Sequence, residues 1–164
     1  MRVETRARAR ALQALYAWEM RSAGRATPPG ASVASPAGAR ETASLRVEAD
    51  PRSLARVADQ VWDDLRVPSE QRAIASALVD TVARESGAID AALADVTTNW
   101  RLERLGSIER SVLRLGAAEL RLGETPTKVA IQEGVRLAEL YGSAQSGRFV
   151  NGVLDALARR MGKL

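Results

Sequence analysis

Three arginines alternate with alanine near the start of the chain, Arg6-Ala7-Arg8-Ala9-Arg10, and a fourth, Arg148, directly precedes the only phenylalanine, Phe149. A guanidinium is a planar fork of donors that matches the geometry of a phosphate. A ring beside such a group offers a face on which an unpaired base can stack. Successive residues of a helix are turned by about 100°, so Arg6 and Arg10 share one face and Arg8 lies roughly opposite. These residue types therefore suit single-stranded nucleic acid. Spacing alone leaves the plainer alternatives open: a solvated, frayed helix start for the arginines and a core position for Phe149.

Catalysis finds little to work with. There is no cysteine and no histidine, which excludes disulfides, thiol nucleophiles, soft metal sites and imidazole acid–base chemistry. Asp63 and Asp64 are adjacent on a predicted helix, so their carboxylates diverge by about 100° and suit shared proton transfer poorly. Glu103, Glu109 and Glu119 stand at intervals suited to surface ion pairs with nearby arginines, and we expect them on solvated faces. The spacings GxSxG, GxxxxGK[ST] and GxGxxG are all absent, and no cofactor is implied.

The placement of charge is more telling than its total. The net charge is +4, and residues 1–25 hold six arginines against Glu4 and Glu19, which is already +4, so the remainder is neutral. Basic side chains at the start of a helix oppose its dipole, a small cost that an anionic partner would relieve. No apolar run reaches the roughly 18 residues that span a membrane, and the N-terminus is charged where a secretory signal needs its apolar core. A soluble, cytoplasmic protein is expected.

Helices must position these residues. Aromatic content is 4% and alanine is abundant, which disfavours sheet and lets helices pack closely. Ala11, Leu12, Leu15, Trp18 and Glu19 recur at helical spacing, predicting a helix over 5–22; the last member of that stripe is charged. Residues 22–49 are mostly Ala, Gly, Pro, Ser and Thr and cannot bury enough surface to offset their ordering entropy, so a flexible insert is predicted there. Asp50-Pro51 reads as a cap followed by proline in the first turn of a short helix over 52–65. A long helix over 70–97 follows, with a break expected at Gly87. Leu105, Ile108, Val112, Leu115 and Leu122 define a helix over 107–122. Gly123 and Pro126 mark a turn into a helix over 127–141, which Gly142 stops, and a last helix begins near Gln145. One all-α domain results.

With the elements placed, ARARALQALYAWEM, SIERSVLRLGAAEL, TPTKVAIQEGVRLAELYG and SGRFVNGVLDAL together resemble the transcription antitermination protein NusB family. The likeness covers about residues 5–21 and 70–160, and is most specific in the order KVAIxExVxLAxxxG, then FVNGVLD. It implies two packed three-helix units and no enzymatic activity. It also implies binding to the boxA element of nascent ribosomal RNA together with the ribosomal protein NusE, within an antitermination complex on RNA polymerase, and, in some members, a homodimer when free. Carried over residue by residue, the RNA-binding positions are Arg6, Arg8, Arg10, Arg148 and Phe149, and those facing NusE are Tyr16, Glu103 and Glu109. Glu4 and Thr5 replace arginines of the enteric form, and Gln145 replaces a frequent acidic residue, so the resemblance implies a smaller electrostatic contribution and a different local RNA affinity. The competing expectations are an accessory domain of an RNA cytosine-5 methyltransferase and a helical module that binds protein alone.

Overall fold

The computed structural model describes residues 2–25, 50–97 and 105–164. Among these the elements are α1 (Val3–Arg25), a 3-10 turn (Pro51–Ser53), α2 (Leu54–Asp64), α3 (Ser69–Val96), α4 (Ser107–Leu122), α5 (Thr127–Tyr141) and α6 (Ser146–Arg160), with no strand. The all-α expectation holds, as does its arrangement. Helices α1, α2 and α3 pack together as one unit, α4, α5 and α6 as the other, and α1 and α3 both rest on α4.

Helix α1 is the inner element of the first unit. Ala7, Ala11 and Ala14 are fully enclosed beside Leu12, Leu15 and Trp18, because small side chains let α2, α3 and α4 approach its backbone. The helix is longer than expected: residues 22–25, which composition groups with the insert, form its last turn. The rest of that segment, 26–49, lies outside the described residues. Both buried indoles find acceptors, as their N–H groups require. Trp62 donates to the Arg10 carbonyl at 3.0 Å and Trp18 to the Ser53 hydroxyl at 3.0 Å.

Asp50 caps the turn before α2, its carboxylate accepting from the Arg52 N–H at 3.0 Å, with Pro51 in the first turn as expected. The long α3 is interrupted at Glu85 (φ −113°, ψ 19°), two residues before the expected break at Gly87. The Glu85 carboxylate is bound there by Arg121 of α4. Helices α4 and α5 occupy the expected ranges. Gly123 ends α4 at φ 69°, a left-handed conformation that side chains with a Cβ adopt only under strain.

The second unit closes around Leu154 of α6, which is fully buried. Its Cδ1 lies where a Cβ on Gly116 of α4 or on Gly134 of α5 would stand 2.8 Å away, so two glycines admit one leucine between three helices. Among the described residues no helix is long and apolar enough to cross a membrane.

Candidate nucleic-acid interface

Arg8 does not face solvent. Its Nε donates to both oxygens of Glu119 at 2.9 and 3.0 Å, and its Nη2 donates to the same carboxylate and to Thr125 Oγ1 at 3.4 Å. Glu133 of α5 stands 3.8 Å from Nη1. Arg8 and Glu119 are only 7% and 5% exposed. Burial opposes the charge on Arg8, but the hydrogen bond and charge of Glu119, with Glu133 and Glu4 beyond, more than offset it and hold the guanidinium pKa above its ordinary value. The Arg8 face of this helix is the inner one, and its charge is already bound to Glu119. Glu119 is likewise no solvated surface carboxylate.

Arg6 and Arg10 lie on the other side. Arg6 is exposed, and among the described residues its side chain makes no ion pair. Arg10 is half-buried, but its acceptors are neutral amides, Gln13 at 3.1 Å and Gln71 at 3.4 Å. They orient the guanidinium and leave its charge uncompensated. The structure therefore separates three arginines that look alike in sequence into two available cations and one internal clamp.

A second cluster, built on the buried Glu19, sits three turns further along α1. Glu19 accepts from Arg110 at 2.8 Å and from Arg114 at 2.7 Å, and Arg114 also binds Asp90 of α3 at 2.9 Å. Burial opposes the charge on Arg114, but its bonds and proximity to Asp90 and Glu19 outweigh that and raise its pKa. Arg110 also donates to the Leu105 carbonyl at 3.3 Å, which fastens the entry of α4.

The start of α6 carries the other segment. Arg148 is exposed and Phe149 is half-buried, packed on the core without being enclosed by it, between the two alternatives that spacing left open. Two residues earlier Ser146 donates its hydroxyl to Glu109 of α4 and, through Oγ, accepts from the Ser143 N–H at 2.8 Å. Glu109 thus ties the entry of α4 to the entry of α6, beside Arg148. Helix α5 spans the gap between the two basic segments, with Glu133 turned to Arg8 and Glu139 turned to Gly147.

The sequence profile of the NusB family matches residues 5–159. This chain belongs to the NusB family. It is 45% identical over 119 residues to the NusB transcription antitermination protein of Sorangium cellulosum, covering 72% of this chain and 85% of that one. It is 36% identical over 155 residues to that of Anaeromyxobacter dehalogenans strain 2CP-1, covering 94% and 89%. Among solved structures, T. maritima NusB superposes with a TM-score of 0.71 at 25% identity over 95% of this chain and 90% of that one. A structure of the antitermination factors NusB and NusE in complex with double-stranded RNA matches with a TM-score of 0.71 at 26% identity, over 98% of each chain.

Of the positions that the NusB resemblance assigns to NusE, Tyr16 is 40% exposed, Glu109 is half-buried on Ser146, and Glu103 lies outside the described residues. Reading single residues missed Glu133 and Glu19 as partners of arginine, and put Glu119 in a surface ion pair where it holds a buried one. A signal for two of them was present. Glu119 falls between Leu115 and Leu122 in the apolar stripe of α4, as Glu19 does in that of α1, and a carboxylate on a buried stripe needs a cation.

Proposed function

We propose that this protein is an RNA-binding transcription antitermination factor that binds boxA of nascent ribosomal RNA jointly with the ribosomal protein NusE. The observation that carries the reading is the family match over residues 5–159. The geometry supports it: uncompensated Arg6 and Arg10 on α1, and Arg148 beside a half-buried Phe149 on α6. In this reading the protein forms one NusB-like domain, joins the antitermination complex on RNA polymerase, pairs with a second copy when free and acts in the cytoplasm. Its work is binding, not catalysis. Arg6 and Arg10 contact phosphates, Arg148 holds the strand, Phe149 stacks on a base, and Arg8 acts from inside by docking α1.

Titration with single-stranded boxA RNA at several salt concentrations, with and without NusE, tests it. Arg6→Ala and Arg10→Ala each take one cation away from a phosphate, and each should reduce the slope of log affinity against log salt by about 0.7. Phe149→Ala should leave that slope unchanged and weaken binding by about 1–3 kcal/mol. If Phe149→Ala chiefly lowers the melting temperature and the folded variant binds RNA as before, the ring is a core group only. If the unaltered protein shows no salt-dependent RNA binding, the reading fails.

The NusE-facing assignment has its own check. Reversing the charge in Glu109→Lys removes a carboxylate suited to a basic ribosomal protein and also breaks the bond from Ser146. It should weaken NusE binding by more than Ser146→Ala, which breaks the bond alone. Equal NusE affinity for Glu109→Lys and the unaltered protein removes Glu109 from that surface.

A further inference from the structure

We propose that Arg136 of α5 is an additional phosphate-binding residue that joins the Arg6 and Arg148 segments into one track for single-stranded RNA, an inference that rests on the RNA-binding reading above. Most arginines of the second unit are already committed. Arg110, Arg114 and Arg121 are each bound to a carboxylate, and an incoming phosphate would have to displace it. Arg136 is exposed, and among the described residues it makes no hydrogen bond or ion pair. Its charge is open to an anion.

Its place on α5 is what gives that charge a use. Ala130, Ile131, Gly134, Leu137 and Ala138 form the buried side of the helix, which leaves Gln132, Arg136 and Leu140 along the solvent crest. Three residues before Arg136, Glu133 faces Arg8 of α1 at 3.8 Å. Three residues after it, Glu139 meets the start of α6 so closely that a Cβ on Gly147 would stand 2.6 Å from its Cγ. Those two glutamates are six residues apart, a rise of about 9 Å along the helix, and Arg136 lies midway. Through these two contacts α5 lies between the start of α1 and the start of α6, and a strand that passes from one to the other over the solvent side of α5 meets Arg136. Neither Glu133, which faces Arg8, nor Glu139, which lies against Gly147, pairs with Arg136.

The test is the salt dependence of binding to single-stranded boxA RNA, measured for the unaltered protein, Arg6→Ala, Arg136→Ala, Arg136→Lys and Arg56→Ala, the last an exposed arginine on α2. Arg136→Ala should reduce the slope by about 0.7, as Arg6→Ala does. Arg136→Lys, which keeps the charge, should restore it, and Arg56→Ala should leave it unchanged. A slope that falls for Arg6→Ala and stays for Arg136→Ala overturns the inference while the RNA-binding reading stands. The same unchanged slope with weakened NusE binding also overturns it and reassigns Arg136 to a protein-binding role. Absence of salt-dependent binding in the unaltered protein overturns both.

Discussion

Glu119→Ala is expected to lower the unfolding free energy by about 3–5 kcal/mol, the usual cost of stranding one partner of a buried ion pair. Arg8 would keep only Glu133, at 3.8 Å, and Thr125, at 3.4 Å. In a chain of this size the melting temperature should fall on the order of 10 °C. Replacing both partners together, Arg8→Met with Glu119→Leu, should recover most of the loss, because no charge is then left unpaired and the volume is kept. Denaturant unfolding of both variants decides the matter, and a loss under about 1 kcal/mol for Glu119→Ala would remove the clamp. The pair is insensitive to ordinary changes of pH on the arginine side. Arg8 has a raised pKa, so its contribution is fully present below its unfolded titration range and is lost only as pH rises through the folded value in strong alkali.

The second large effect is expected at Leu154. Leu154→Ala should cost about 2–5 kcal/mol, since the space it leaves lies among α4, α5 and α6, which already pack around it. Gly134→Ala should cost about 1–3 kcal/mol by overpacking, because its Cβ would stand 2.8 Å from the Leu154 Cδ1. The two changes are not independent. In the double variant the added methyl group occupies part of the space that the leucine vacates, so the combined loss should fall short of the sum. Strict additivity in urea unfolding would show that the close approach carries no energy.

How much of the fold is legible in the sequence differs by kind of feature. The bounds of α4 and α5 are legible because Gly123 and Pro126 punctuate them and their apolar stripes are well marked. The extent of α1 is not, because Ser22, Ala23 and Gly24 look like the insert that follows, and a helix already docked can extend through a few poor formers. The break in α3 is expected at its glycine and occurs at Glu85 instead, where the side chain is bound by α4. Among the candidate binding residues, alternation correctly puts Arg8 opposite Arg6 and Arg10. Which face is the inner one depends on Glu119 and Glu133, more than a hundred residues away, and short-range spacing carries no such information. The gaps in the apolar stripes at Glu19 and Glu119 are the available hint.

The two charge clusters on α1, built on the buried Arg8 and Glu19, also encode the direction in which that helix is laid down. Arg8 and Glu19 are eleven residues apart, close to three full turns, so they project from nearly the same side about 16 Å apart. Their partners on α4 come in reverse order, Glu119 for Arg8, and Arg110 with Arg114 for Glu19. Laid the other way round, α1 would set cation against cation and carboxylate against carboxylate at both ends. Slid along by a single turn, it would take Arg8 away from Glu119 and Glu19 away from Arg110 and Arg114. Alanine and leucine alone would tolerate several such placements, whereas opposite signs at the two ends admit only one polarity and one register.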